Sequence, residues 1–157
     1  MNTLKYLGLF LLLTIIGFLV RDYFFDFSYS QLSKENVRMV NRNISGHFYT
    51  HLLFAISIGI IPLLYLTIKK ITKLNFMSDG LVSCGVIVVC GILLWQFRML
   101  QLNSKYANLP ELVTKKGIKF EMNTAELYFE RYLFLGFIIG TIISILIFKN
   151  KNKAETE

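Results

Sequence analysis

The run Leu52-Leu53-Phe54-Ala55-Ile56-Ser57-Ile58-Gly59-Ile60-Ile61-Pro62-Leu63-Leu64-Tyr65-Leu66-Thr67-Ile68 contains no charged side chain and is closed by Lys69-Lys70. About 17 apolar residues are enough to cross a hydrocarbon core of about 30 Å as a helix. Inside lipid, backbone N–H and C=O groups find no water, and a lone segment pairs them only by coiling into an α-helix. Gly59 and Pro62 near the centre predict a kink, because proline lacks the N–H that the helix uses there. Three more runs share this character: Tyr6 to Val20, Leu81 to Phe97 and Tyr132 to Phe148. The expected fold is therefore an all-α membrane protein, a four-helix transmembrane bundle with spans at about 4–22, 48–69, 81–98 and 125–148.

Between the spans lie two polar loops, about 23–47 and 99–124, and a short basic loop, 69–80; a polar tail, 149–157, is expected to be disordered. Both long loops hold local structure signals, and together they are expected to form a small cap on one side. Ser33 to Val40 has a cap residue and amphipathic spacing that predict a short surface helix, and Gly46 allows a change of direction before span two. In the second loop, Asn108-Leu109-Pro110-Glu111 reads as a helix start, Gly117 as its end, and Ile118 to Met122 as an extended piece. Asn123-Thr124-Ala125-Glu126 resembles a capping box that would open span four.

Composition agrees with one integral membrane domain, 1–157: the chain is 54% hydrophobic, with a mean hydropathy of +0.52. The net charge of +7 could suggest nucleic acid, but Lys and Arg sit at span ends, which points to the lipid bilayer and to no nucleic-acid partner. Lys5 precedes a signal-like first run, yet Val20-Arg21-Asp22-Tyr23 offers no small-x-small cleavage site, so this run is expected to stay as span one. Cys84 and Cys90 lie in one span about 120° apart, and the loops hold no cysteine, which argues against a four-helix thiol oxidoreductase built on loop cysteine pairs. The dense Lys69 to Lys73 loop and Lys149, Lys151 and Lys153 place the termini on the cytoplasmic side of the cell (inner) membrane.

Candidate chemistry gathers on the face bearing the long loops. Three pairs have i, i+4 spacing: Asp22 with Asp26, His47 with His51, and Glu126 with Glu130. Two imidazoles one turn apart can hold one zinc or iron ion, so His47, His51, Glu126 and Glu130 form a candidate metal set. The commoner fate of such residues is solvation or pairing with Arg21, Arg42, Arg98 or Arg131. Two histidines on one helix face cannot supply both axial ligands of a haem.

The hexapeptide Arg42-Asn43-Ile44-Ser45-Gly46-His47 resembles the Arg-Asn-x3-His motif of HEPN-type ribonucleases. The resemblance covers these six residues; it would make Arg42 and His47 catalytic in RNA cleavage, in the setting of a bacterial antiviral membrane accessory protein.

No charged residue lies at the centre of any run, which argues against an ion-coupled transporter. Gly136-Phe137-Ile138-Ile139-Gly140 is a small-xxx-small stripe that lets a helix approach closely, from the same bundle or from a second copy. One bundle has too few polar atoms for a water-filled path, so any conduction is expected between subunits meeting on the glycine faces of spans three and four. The leading expectation is a non-catalytic multi-pass subunit, homo-oligomeric or part of a larger complex, channel-like or accessory in role and without a cofactor. The rival is a membrane-embedded enzyme with zinc or iron on the His47/His51 pair.

Overall fold

The computed structural model describes residues 3–32, 37–40, 44–72, 77–107, 120–123 and 127–154. In chain order these form α1 (Thr3–Ser30), β1 (Val37–Val40), α2 (Ile44–Gly59), α3 (Ile61–Thr72), α4 (Met77–Ala107), β2 (Phe120–Asn123) and α5 (Phe129–Ala154). Four helical stretches are long and apolar enough to cross a membrane: Thr3–Ser30, Phe48–Thr72, Asp79–Lys105 and Phe129–Lys149. They fit a membrane-embedded helical bundle.

The helices outrun the apolar runs because rings beyond the lipid-length core find partners inside the bundle. Phe24 stacks on Phe54 at 4.7 Å and tilts against Trp95 at 5.6 Å, and Phe25 meets Phe129 at 6.3 Å. The aromatic segment at the end of span one is thus divided. Tyr23 and Phe27 stay exposed, as a belt requires, while Phe24 and Phe25 pack inward. At the other end of the chain α5 continues to Ala154, taking in most of the tail expected to be disordered.

Span two is continuous apart from one break. α2 stops at Gly59, Ile60 is a turn, and α3 starts at Ile61 with Pro62 in its first turn. A proline is tolerated there, since the first-turn N–H groups have no helical acceptor. The Ile60 N–H donates to the Ile56 carbonyl at 2.8 Å and the Leu64 N–H to Ile60 at 3.0 Å, so the ladder resumes on both sides of the expected kink. The break coincides with contact between helices: a methyl group on Gly59 would collide with the Thr14 side chain and lie 3.1 Å from the Phe10 carbonyl oxygen.

α4 packs most extensively on α5, and α1 on α2. The first of these contacts uses the glycine stripe. A methyl group on Gly136 would stand 2.5 Å from the Gly91 Cα and 2.6 Å from the Cys90 carbonyl oxygen, and one on Gly140 would stand 2.8 Å from the Ile87 Cα. The stripe is therefore occupied within the chain instead of being left for lateral subunit contact, the role expected for it in a conducting oligomer. α1 is the least buried span, with Leu11, Leu12, Ile15 and Leu19 exposed.

The connections depart from the sequence expectation in three places. Val37–Val40 is a strand, not the end of a surface helix. It pairs in parallel with β2, matching Val37 to Phe120 and Val40 to Asn123, and so the extended piece expected near 118–122 is present in β2. The pair is parallel because β1 leads into α2 and β2 leads towards α5, and these two helices enter the bundle from the same end. Gly46 lies inside α2, and α5 opens at Phe129, later than the capping-box reading placed it. The helix expected at 108–117 falls outside the described residues.

The single tryptophan reports on this packing. Trp95 is buried, stacks on Phe27, and donates its indole N–H to Ser28 Oγ at 3.1 Å. Ser28→Ala is expected to lower stability by about 1 kcal/mol, because it leaves a buried indole N–H without its acceptor. The shift of the Trp95 fluorescence unfolding midpoint measures it, and an unchanged midpoint would remove the hydrogen bond from the account.

Candidate functional site

Arg21 sits where the first apolar run ends, and its side chain turns into the bundle instead of reaching for water. Only 3% of that side chain is exposed. Nη2 donates to Thr50 Oγ1 on α2 at 2.8 Å and to Glu130 Oε1 on α5 at 3.2 Å, and Nη1 donates to Asp22 Oδ1 at 3.1 Å. The guanidinium also lies 4.8 Å from the centre of the Phe25 ring, one turn along α1. Asp22 Oδ1 stands 3.1 Å from His51 Nε2, and the His51 ring tilts against Phe18 at 5.4 Å. One arginine thus gathers groups from α1, α2 and α5.

The members differ in exposure, and this decides what each can do. Glu130 is 5% exposed at its side chain, whereas Asp22 is 66% exposed. Arg21 with Glu130 is a buried ion pair, in which removing either partner strands a charge away from water. Asp22 is a rim contact, screened by solvent. Glu130 also lies in the first turn of α5, where the helix dipole favours an anion. One donor of the network, Arg21 Nε, is buried without a hydrogen-bond partner among the described residues.

A second cluster adjoins the first. Tyr128 has a φ of 57°, a left-handed backbone that a tyrosine adopts at a cost of about 1–2 kcal/mol. It caps α5: its carbonyl oxygen accepts from the Arg131 N–H at 3.1 Å and the Tyr132 N–H at 3.2 Å. Two guanidinium groups lie over its ring, Arg131 at 4.5 Å and Arg98 at 5.9 Å from the centroid. Arg98 also donates from Nε to the Leu127 carbonyl oxygen at 3.0 Å.

The sequence candidates fare unequally. From the three i, i+4 pairs the structure brings together one member each: Asp22, His51 and Glu130 all converge on Arg21 or its partner, while Asp26 is exposed. Arg42 and Glu126 lie outside the described residues, and His47 is described only by its place in the first turn of α2. Among the described residues, no group of three or more His, Cys, Asp or Glu is placed to hold a metal ion. His51 Nε2 faces Asp22, and Glu130 Oε1 faces Arg21. The chain matches no protein-family model, no curated protein and no solved structure. The site must therefore be understood from its own groups.

Thr50 and Ser28 carried no signal in the sequence. Their hydroxyls resemble any others in a span, and the approach of Arg21 and Trp95 brings them into the network.

Proposed function

We propose that the protein is a non-catalytic multi-pass subunit of the cell (inner) membrane, assembling laterally as a homo-oligomer or within a larger membrane complex. One observation above all supports this reading: the ionisable groups of the candidate site engage one another across three helices, as parts of a clamp do. Glu130 and Arg21 neutralise each other where lipid would otherwise meet them, and Thr50 accepts from the same guanidinium nitrogen. α1 is the least buried span, and its exposed face is the one open to lipid or to a neighbouring subunit. The linked strands β1 and β2 would organise the two long connections into a small cap, with the termini on the cytoplasmic side. Channel-like conduction, if the assembly performs it, runs between subunits.

The test is the mass of the detergent-purified full-length protein by light scattering, together with its metal content. A discrete oligomer with substoichiometric metal is expected. A monomer carrying stoichiometric zinc or iron that is lost in His47→Ala with His51→Ala would overturn this reading in favour of the metal-dependent enzyme. RNA cleavage by the wild type that Arg42→Ala abolishes would overturn it in favour of the ribonuclease-like motif. Flat conductance in reconstituted bilayers across voltage and pH would remove the channel element and leave the subunit.

A further inference from the structure

Beside the clamp, α2 and α5 leave an open groove of about 370 Å³ lined by Tyr49, Leu53, Arg131, Phe134 and Leu135. The size falls among ligand-sized pockets, about 300–1,000 Å³. Its chemistry is graded along its length. Tyr49 and Leu53 are one turn apart on α2, and Arg131 precedes Phe134 and Leu135 by three and four positions on α5, so each pair shares a face. Both helices start at this end of the bundle. The groove accordingly passes from Tyr49 and Arg131, at the boundary where the spans begin, to apolar walls farther in.

The mouth is cationic. Arg131 is exposed, and its adjacent acid, Glu130, is committed to Arg21. The Arg131 guanidinium carbon lies 4.5 Å from the centre of the Tyr128 ring, and its N–H groups are donors only. Among the described residues Arg131 has no carboxylate partner. Arg98 over the same ring adds a second positive charge nearby. A planar guanidinium is suited to bidentate recognition of a phosphate. A basic mouth above an apolar trough at the membrane boundary is the complement of a lipid with an anionic head and a hydrocarbon tail.

We propose that this groove holds one anionic phospholipid, its headgroup phosphate on Arg131 beside Tyr49 and an acyl chain along Leu53, Phe134 and Leu135. Arg131 acts here as the headgroup anchor. The same lipid would lie against both α2 and α5 and so brace the pair of helices that Arg21 joins from within.

Native mass spectrometry of the detergent-solubilised full-length protein, given phosphatidylglycerol and phosphatidylcholine in equal amounts, tests the proposal. One phosphatidylglycerol is expected to be retained about tenfold more than phosphatidylcholine: both lipids carry the phosphate, but the choline ammonium would bring a like charge beside Arg131 and Arg98. Arg131→Gln is expected to abolish the preference, whereas Lys69→Gln with Lys70→Gln, at the other end of span two, keeps it. Leu135→Trp, which fills the trough with Arg131 intact, is expected to lower retention. Equal retention of the two lipids, or a preference that survives Arg131→Gln, would overturn the proposal. Competition by inorganic phosphate at the same concentration would overturn the assignment to a lipid. Because Arg131→Gln could disturb folding, hydrogen exchange on the wild type provides an independent arm. Protection of residues 49–53 and 131–135 by phosphatidylglycerol, and not by phosphatidylcholine, is expected, and its absence overturns the site.

Discussion

Replacing Arg21 with alanine is expected to destabilise the bundle by about 3–5 kcal/mol, because the buried Glu130 carboxyl is then left without its partner. Thr50 loses its donor in the same step. Equilibrium unfolding of the full-length protein in mixed micelles measures the change. Arg21→Lys is not expected to rescue it: one ammonium group cannot reproduce the planar fork that reaches Thr50, Glu130 and Asp22 together. The double variant Arg21→Met with Glu130→Leu is expected to recover most of the loss, since two apolar side chains of similar volume remove both charges from the interior. That recovery separates an ionic clamp from simple packing by the arginine stem. A cost below about 1 kcal/mol for Arg21→Ala would match a solvent-screened surface pair and would end the clamp account.

The second large effect is expected at Gly136. Its neighbours across the helix contact are backbone atoms, Gly91 Cα and the Cys90 carbonyl oxygen, and backbone cannot rotate aside as a flexible side chain can. Gly136→Ala therefore has to push α4 and α5 apart, at a cost of about 1–3 kcal/mol, and Gly136→Leu is expected to prevent the bundle from forming. Gly85 supplies the internal comparison. It is exposed, nothing would lie within 4 Å of a methyl group placed there, and Gly85→Ala is expected to be neutral or to stabilise by about 0.5–1 kcal/mol. Unfolding midpoints compare the two glycines, and the mass in detergent adds a second reading. If Gly136→Leu left the fold intact and changed only the oligomeric state, the stripe would have to serve contact between copies.

The four spans were legible because lipid imposes a single rule, that backbone groups must be paired within the segment, and uninterrupted apolar runs satisfy it only as helices. The closeness required at Gly136 and Gly140 was legible for a similar reason, since small residues one turn apart have one main structural use in such a helix. Partnership was much less legible. An i, i+4 pair places two residues on one helix face, but local spacing carries no information about which residue turns towards which helix. Asp22 enters the network and Asp26, one turn later, remains exposed. Pairing of interfacial acids with Arg21 was among the readings that the sequence offered; the convergence of Thr50, His51 and Glu130 around it depends on the tertiary approach of α2 and α5. The strand at Val37–Val40 escaped the sequence for a comparable reason: a short amphipathic segment fits helix or strand, and here a partner far along the chain, Phe120–Asn123, decides the outcome.

That distant pairing fixes an order of events in assembly. β1 is made before α2, α3 and α4, and β2 only after all three, so Val37 cannot meet Phe120 until those helices have been synthesised. Closing so long a loop is entropically demanding and yields only four residue pairs, too little to drive the process alone. The strands therefore pair as a late event, once the helices have brought the connections together. Until then β1 is an edge without its mate, open to association with other chains. The finished parallel pair is in this sense a seal, closed only after α2, α3 and α4 have been made.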